Sequence, residues 1–381
     1  MIEPRAIRAE PHAAFLPEHG SLRRMLRAPT RNRPAAIAAG YEDRALVYDA
    51  FRYGIDQVLL VGPPPRNLAT HYRTARYETG GRALEARHHV SMSTMVTELR
   101  DVPANAESVT LHLAGGSYEI GIGASLVEAF AGRRLLFTMS KDNDLDWIAE
   151  WAHWHQRVQG ADAVLFFDNG SSAYGLDEIE ATLLGVPGIE RVSVVSWPWR
   201  YGVTDRAVLN NPFYVLYLQV SAMSVALRRF GMAAEGIVNA DIDELVATPS
   251  GTTIFELIRA SRMGLISMSG TYIEPVPTPD APAKRTHRHY QQRLADDRAA
   301  RSRPRKWAID PSRKWFGSLD VHPYMHWIEG RPAFSKSTPR GVFYRHFRAI
   351  NTNWKDERTA ARPGELMLDA DFARLVAYNA F

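Results

Sequence analysis

The pattern of hydrophobic and polar positions divides the chain into two regions. From Arg44 to about Phe130 the apolar positions come in short strand-like runs. Val109, Leu111 and Leu113 alternate with polar neighbours, a Gly-Gly pair follows, and the alternation then resumes, which is typical of a β-hairpin. We therefore predict a small β-rich N-terminal domain over residues 41–130. Residues 1–40 are rich in Arg, Pro and Ala without a steady period, and this predicts a partly ordered arm.

From Arg134 onward, apolar strand-like runs alternate with helical periods. The predicted strands are residues 135–138, 163–167, 192–195 and 236–239, and the predicted helices are residues 143–158, 176–184 and 213–227. Alternating strands and helices favour an α/β fold with a mostly parallel sheet flanked by helices. In such sheets ligands bind at the carboxyl ends of the strands. We expect residues 131–381 to form this catalytic domain.

The amino-acid composition excludes several kinds of functional site. The 381 residues include no cysteine, which excludes disulfides, thiolate zinc sites and cysteine nucleophiles, and suits a reducing compartment. Carboxylates and imidazoles remain as the strong metal ligands, and they favour a hard cation. Charged residues precede any apolar run at the N-terminus, so no secretory signal is visible, and the uncharged stretch 207–227 is interpreted as a buried helix. These features predict a cytoplasmic protein, with peripheral membrane contact as the alternative.

The net charge of +4 conceals an uneven distribution. Residues 283–314 hold eleven Lys or Arg and three Asp, so the rest of the chain sums to −4. Such a basic segment is most often a solvated loop. It would also suit a lid that neutralises a diphosphate through Lys306, Arg313 or Lys314, or a contact with anionic lipid. No recognised nucleic-acid-reading motif accompanies the charge, so nucleic acid is not a predicted partner.

Asp-x-Asp is the first candidate site. Two carboxylates one residue apart can hold a divalent cation that bridges a substrate diphosphate. The chain has four such pairs, and only Asp241/Asp243 directly follows an apolar strand. The other three pairs stand at predicted helix starts, where acids serve as caps. The sequence therefore predicts that Asp241 and Asp243 bind a metal.

Other polar residues leave alternatives open. Asp168 ends a predicted strand, and it either forms an Asx turn or contacts a nucleoside. His155 is expected to be a hydrogen-bonded packing residue of a helix. His322 and His346 lie in apolar, aromatic surroundings downstream of the acid pair, where a neutral imidazole could complete a metal shell or donate to a phosphate.

Several motifs, in order and spacing, resemble the family 2-like and family 92-like glycosyltransferases. The matching segments are residues 138–143, 150–155, 160–162, 166–172, Gln219 with Ala222, 239–245, 314–322 and 345–347. Together they cover roughly Arg134 to Trp354, and residues 1–130 lie outside the resemblance. Two departures stand out: Lys141-Asp142-Asn143 replaces Lys-Asn-Glu, and Leu245 replaces a phenylalanine.

The resemblance implies a glycosyltransferase A-type fold, Mn²⁺ or Mg²⁺, and a nucleoside-diphosphate sugar as donor, a UDP-sugar in particular. By position, Asp168 matches the nucleoside-contacting acid, and Asp241 and Asp243 match the ribose- and metal-binding pair. His322 matches the downstream metal-site histidine, and Lys141 and Lys314 match lysines that we assign to the donor.

The leading hypothesis is thus a metal-dependent inverting glycosyltransferase that builds a bacterial polysaccharide on a glycan or lipid-linked acceptor. Inversion requires a carboxylate that removes the acceptor proton, and Glu274 and Asp320 are the candidates from the sequence. Two alternatives remain: a metal-dependent phosphodiester or diphosphate hydrolase with the same acids, and a non-catalytic protein that binds carbohydrate or lipid.

Overall fold

The computed structural model describes residues 4–26, 40–202, 216–248, 251–339, 341–352 and 358–379, with the main chain alone at residue 303. The strands are β1 Arg5–Ala6, β2 Ala14–Phe15, β3 Ala45–Val47, β4 Asp49–Arg52, β5 Val58–Gly62, β6 Arg76–Thr79, β7 Arg82–Val90, β8 Met95–Arg100, β9 Ser108–Leu113, β10 Gly116–Gly121, β11 Arg134–Ser140, β12 Ala163–Asp168, β13 Arg191–Ser196, β14 Gly236–Asn239, β15 Glu244–Ala247, β16 Leu265–Ile273, β17 Gln292–Leu294, β18 Arg301–Ile309, β19 His322–Pro323, β20 Ile328–Glu329, β21 Phe343–Phe347 and β22 Leu366–Leu368. The helices are α1 Ala69–Arg73, α2 Leu145–Gln159, α3 Leu176–Leu184, α4 Tyr217–Val225, α5 Ile254–Ala260, α6 Asp297–Ala300 and α7 Ala370–Tyr378. In the part of the chain that the structure describes, no helix is long and apolar enough to cross a bilayer.

The larger sheet has nine strands in the order β1-β13-β12-β11-β14-β18-β16-β21-β15. Neighbours from β1 through β14 are parallel, as are β16 and β21, whereas the β14/β18, β18/β16 and β21/β15 pairs are antiparallel. The central strands β12 and β14 are buried along their whole length, as continuous apolar runs predict for strands covered on both faces. The predicted mixed α/β fold with a mostly parallel central sheet is confirmed.

Helix α2 shows how the local sequence sets an element. The Asp144 side chain accepts the backbone N–H of Asp146 at the N-terminus, and Gly160, with a φ of 70°, ends the helix in the left-handed region. Ile148, Trp151 and the polar His155 are buried on one face. The helix therefore begins and ends within two residues of the predicted bounds.

The smaller sheet is antiparallel, with seven strands in the order β10-β9-β6-β7-β8-β5-β4. The predicted hairpin is confirmed as β9 and β10. Alternate residues of β5 face two different cores: Val58 and Leu60 pack within the smaller sheet's own core, whereas Leu59 and Val61 join the core of the larger sheet and α4. The two sheets therefore share a core instead of forming separate globules.

The N-terminal arm expected from the sequence differs from the structure where the chain is described. β1 adds a parallel strand to β13, with Arg5 opposite Arg191, and β2 pairs with β3. These strands are two residues long, too short to produce a hydrophobic period that the sequence could reveal. Residues 27–39 lie outside the described part of the chain.

The basic segment 283–314 is not a solvated loop or a lid. It contains β17, α6 and β18, and β18 lies between β14 and β16 in the larger sheet. Lys306 is buried within β18, as are Trp307 and Ala308. The prediction was wrong because dense Lys and Arg concealed a central strand, whose buried lysine is compensated by acids from the neighbouring turn.

Candidate metal and nucleotide site

Three carboxylates meet where β14 ends and β15 begins. Asp241, Asp243 and Glu244 each offer an oxygen, and these oxygens lie within 4.8 Å of one another. The turn is stabilised internally, because the Glu244 N–H donates to the Asp241 carbonyl and the Asp241 N–H donates to Glu244 Oε2, both at 2.9 Å. Glu244 thus adds a third acid to the Asp241/Asp243 pair that the sequence predicted, and all three follow the carboxyl end of the parallel strand β14.

Lys306 of β18 joins two of these acids. Its Nζ lies 2.7 Å from Asp241 Oδ2 and 2.9 Å from Glu244 Oε2, and its side chain is 2% exposed. Burial lowers the pKa of Lys306, but the two carboxylates outweigh it and raise that pKa above its ordinary value. Burial raises the pKa of Glu244 to about 7 in spite of the lysine. We conclude that the ammonium is charged and holds the acids in place.

His346 and Arg358 approach the third acid. His346 Nε2 lies 2.9 Å from Asp243 Oδ2, and Arg358 Nη1 lies 3.5 Å from the same oxygen. Burial raises the pKa of Asp243, yet the charge and hydrogen bond of His346 outweigh it and lower that pKa to about 2. Burial lowers the pKa of His346, and Asp243 reverses this and raises it. β15/β21 pairing, with Glu244 opposite His346, brings these groups together.

The donor set fits a hard divalent cation. The protein contacts of Asp241 and Asp243 involve Oδ2, and among the described residues neither Oδ1 has a hydrogen bond or an ion pair. Their side chains are 39% and 19% exposed, whereas that of Glu244 is 2% exposed. Carboxylate oxygens are the ligands that Mn²⁺ and Mg²⁺ prefer. The two aspartates could therefore bind an ion from the cleft, while the more deeply buried Glu244 holds the Asp241 backbone through a hydrogen bond.

The cleft above these acids lies at the carboxyl ends of β11, β12 and β14. Its lining residues include Lys141 and Asn143 after β11, Asn169 after β12, and Gln219 of α4. Lys141, which we assign to the donor from the sequence, thus lines the same cleft as the acids. This is the edge of a parallel sheet at which nucleotides bind in α/β folds.

Asp168 lies beside the cleft in an Asx turn. Its Oδ2 accepts the N–H groups of Gly170 and Ser171 at 3.1 and 3.0 Å, and its Oδ1 accepts the Ser171 hydroxyl at 2.5 Å. The carboxylate is buried, and its following residue, Asn169, lines the cleft. Asp168 therefore shapes the loop after β12, which is the structural alternative that the sequence left open.

Asp142 explains the departure from the Lys-Asn-Glu pattern. It has a φ of 53°, and its Oδ1 accepts the N–H groups of Ser172 and Ala173 at 2.6 and 3.1 Å. The Asp142 N–H donates to the Ser171 hydroxyl oxygen at 2.8 Å. This acid joins the loops after β11 and β12, which both border the cleft.

Glu274 does not fit the role of catalytic base. Its side chain is fully buried, and its two oxygens are held by Arg362 at 2.7 to 2.9 Å and by Arg348 at 3.4 Å. A fully buried carboxylate whose oxygens are held by two guanidinium groups has no access to an acceptor. Glu274 instead fixes the C-terminal segment around Arg362 to the end of β16.

Asp320 and His322 lie outside the acid cluster. Asp320 Oδ1 contacts His89 Nδ1 of β7 at 2.8 Å, so this acid joins the smaller sheet to the segment that precedes β19. His322 is buried, and burial together with the nearby Arg228 lowers its pKa to about 4. Neither residue lines the cleft. The hairpin of β19 and β20 turns His322 inward, and His326, four residues later, lines the cleft instead.

Lys314 is placed away from the site. β18 runs antiparallel to β14, so Lys306 lies beside the acids, whereas Ile309 pairs with Ile237 toward the opposite edge of the sheet. Lys314 follows that opposite end and is exposed. The structure therefore does not bring Lys314 together with the acids, and the reversal of β18 that separates them has no signature in the sequence.

We compared the chain with protein families, curated proteins and solved structures. No protein-family model matches the chain, and no curated protein matches it. Among solved structures the chain is similar to a crystal structure of GalNAc-T7 with UDP, GalNAc and Mn²⁺, at 12% identity and a TM-score of 0.32. The match covers 66% of this chain and 55% of that one, so the chain spans little more than half of that protein's length. A likeness this remote carries no argument about the substrate of this chain.

Proposed function

We propose that the protein is a metal-dependent glycosyltransferase that uses a nucleoside-diphosphate sugar, a UDP-sugar in particular. The observation that carries the proposal is the pair Asp241 and Asp243, whose side chains line a cleft at the carboxyl ends of parallel strands and whose Oδ1 atoms have no partner among the described residues. Mn²⁺ is the ion we propose there, with Mg²⁺ as its substitute. A bound divalent ion would supply Lewis acidity and positive charge for a departing diphosphate.

The chain's own residues would bind and orient the donor. Asp241 and Asp243 would hold the ion, and Lys306 and Glu244 fix Asp241 through buried contacts. Lys141 and Arg358 also line the cleft, where their charges suit the phosphate oxygens. Preorganised cations of this kind stabilise charge that develops on a leaving group without later reorganisation.

Stereochemistry and acceptor remain predictions. Among the described residues that line the cleft, the carboxylates are Asp241, Asp243 and Glu244, and each contacts a cation. An inverting displacement therefore needs a base other than Glu274 or Asp320. We retain inversion and a glycan or lipid-linked acceptor in bacterial polysaccharide synthesis as parts of the proposal, and the anomeric configuration of the product by NMR tests the first.

The function is tested with a panel of nucleoside-diphosphate sugars, with and without Mn²⁺ and glycan acceptors. We expect one donor to release its nucleotide faster when an acceptor is added, and excess EDTA to stop the reaction. Asp243→Asn should lower the rate at least about 100-fold, since metal stabilisation of the leaving group is worth several kcal/mol. Turnover that never responds to an acceptor would support the hydrolase alternative and contradict the proposal.

Asp371→Asn is the matched control for that experiment. Asp371 belongs to the other Asp-x-Asp pair of the described C-terminal segment, and its side chain is 67% exposed. This variant loses the same charge at the same kind of motif, but at a residue that does not line the cleft. It should keep wild-type activity, so a general effect of lost charge is separated from loss of the metal ligand.

A further inference from the structure

The turn between β19 and β20 brings a histidine into the cleft. The Tyr324 N–H donates to the Trp327 carbonyl at 2.8 Å, and the two rings stack with their centroids 4.1 Å apart. The intervening residues, Met325 and His326, form the tip of this hairpin. His326 lines the same cleft as the three acids, although it lies 80 or more residues from them in the sequence.

Both strands beside the acids hold this tip in place. Asn239, the last residue of β14, donates from Nδ2 to the Met325 carbonyl at 3.1 Å. His326 Nδ1 lies 2.9 Å from the carbonyl oxygen of Arg305 in β18, and the next residue of that strand is Lys306. The tip is therefore anchored to the strand that leads into the acids and to the strand that carries their counter-ion.

The bond to Arg305 decides which nitrogen of His326 carries the proton. A carbonyl oxygen only accepts hydrogen bonds, so Nδ1 is the donor. In the neutral ring Nε2 then carries the lone pair and is the proton acceptor. The other imidazole of the cleft is bound differently, because His346 Nε2 lies 2.9 Å from Asp243 Oδ2 and donates to that acid. His346 therefore serves the acid cluster, whereas the tautomer of His326 suits a base.

The other side chains of the cleft do not suit that role. Among the described residues that line it, each of the three carboxylates contacts a cation. Apart from the two imidazoles, the remaining polar side chains of the lining are hydroxyls, amides and cations, which are poor proton acceptors at neutral pH. An inverting displacement needs a base, and His326 is the lining residue with the chemistry for it.

We propose that His326 is the general base of the transfer, a role that rests on the glycosyltransferase function proposed above. Nε2 takes the proton of the acceptor hydroxyl while that oxygen forms a bond to the anomeric carbon of the donor sugar. The bond from the anomeric carbon to the diphosphate oxygen breaks, and its electron pair leaves with the diphosphate. The imidazolium then releases the proton to solvent, so no further reactant is consumed. The Arg305 carbonyl accepts from Nδ1 throughout and keeps the ring oriented.

The test compares transfer and donor binding in variants of the full chain, with the donor and acceptor that the nucleotide-sugar panel selects. His326→Gln should lower kcat for transfer about 100-fold or more, the usual contribution of a general base, and leave KM for the donor nearly unchanged. Binding of UDP with Mn²⁺, measured by isothermal titration calorimetry, should equal that of the wild type, because the acids and Lys306 are untouched. Loss of that binding would mean that His326 serves the donor site and would overturn the proposal.

His326→Gly gives a second readout that a purely structural histidine would not produce. Glycine is tolerated at the tip of a turn and leaves space where free imidazole can accept the proton. Added imidazole should raise the rate of transfer by this variant about tenfold or more, since it supplies the missing general base. The same imidazole should not raise the rate of Asp243→Asn, which lacks a metal ligand instead of a base.

His19→Gln is the matched control, because His19 is exposed and does not line the cleft. It should transfer at the wild-type rate. An active wild type with full activity in His326→Gln, or with a His326→Gly variant that imidazole does not rescue, would overturn the role of His326 and leave the proposed function standing. A wild type that transfers from no donor would contradict the function as well, so the two failures are distinguishable.

Discussion

At the scale of single residues, the contacts of Lys306 explain best how the site is held together. It is a buried cation between two carboxylates, one of which, Glu244, is as buried as the lysine itself. Removing one partner of such a group leaves an uncompensated buried charge, which is the costly way to break an ion pair. The lysine therefore stabilises the acid turn as well as adding positive charge beside the cleft.

Lys306→Met should lower the free energy of unfolding by about 3 to 5 kcal/mol, the usual cost of an orphaned buried charge. Glu244→Gln/Lys306→Met should recover part of this loss, because a neutral amide needs no counter-ion. Urea unfolding of the single and double variants measures both effects. Losses that simply add in the double variant would show that the two side chains are not coupled.

The site residues could be predicted from the sequence where their local context distinguished them from similar residues. Asp241 and Asp243 could be singled out because only this pair follows an apolar strand. Glu274 and Asp320 could not be excluded, because their partners are distant in sequence: Arg362 lies 88 residues from Glu274, and His89 lies 231 residues from Asp320. An acid that is engaged by a distant partner looks the same in a sequence as a free one.

At the scale of elements, α2 protects an open edge of the sheet. β15 is the last strand of the larger sheet, and its Val246 backbone is bonded to α2. Val246 O accepts from Trp154 Nε1 at 2.8 Å and Gln159 Nε2 at 3.2 Å, and the Val246 N–H donates to His155 Nε2 at 3.2 Å. The helix thus satisfies edge groups that would otherwise invite pairing with another chain.

This contact predicts a pH dependence of stability. Burial lowers the pKa of His155 from 6.5 to about 3, so the unfolded chain binds a proton in this range that the folded chain does not. Stability therefore falls as the pH is lowered from 6.5 toward 3, by up to about 1.4 kcal/mol per pH unit for this group. In His155→Gln the fall should be less steep. Unfolding free energies between pH 7 and 5 measure it, and a constant difference from wild type would contradict the account.

Strands and helices could be predicted from the sequence where their pattern of apolar residues matches the faces that are buried in the fold. The apolar strands β11, β12, β13 and β14 and the helices α2 and α3 match the predicted segments, because burial on both faces or on one face leaves a clear period. β18 was missed because its sequence, Arg301 to Ile309, is dominated by cations and contains a proline. Its place at the sheet centre depends on acids supplied by another element.

At the scale of the whole molecule, buried polar contacts join the two sheets. Arg229, from the π-helical turn that follows α4, pairs with Asp49 of β4 at 2.9 Å, and both side chains are nearly fully buried. Thr94, in the turn between β7 and β8, and Ser221 of α4 have hydroxyl oxygens 3.1 Å apart. The boundary near residue 130, read from the change of period, separates two sheet types, but the core of the larger sheet includes Leu59 and Val61 from the smaller one.

We therefore expect residues 131–381, produced alone, to lack a cooperative thermal transition. The truncation would expose the apolar core that α4 shares with β5 and would leave Arg229 without its buried partner. Circular dichroism melting and binding of a hydrophobic dye test this expectation. A sharp transition close to that of the full chain would mean that the smaller sheet is an independent domain.

The central claim is that Asp241 and Asp243 bind a divalent cation that carries a nucleoside diphosphate. Isothermal titration calorimetry with UDP and other nucleoside diphosphates, each with Mn²⁺ and with EDTA, tests it most directly. The account predicts that one nucleoside diphosphate binds only with Mn²⁺, that Asp243→Asn abolishes this binding, and that Asp371→Asn retains it. Equal binding in EDTA, or undiminished Mn²⁺-dependent binding by Asp243→Asn, would contradict it.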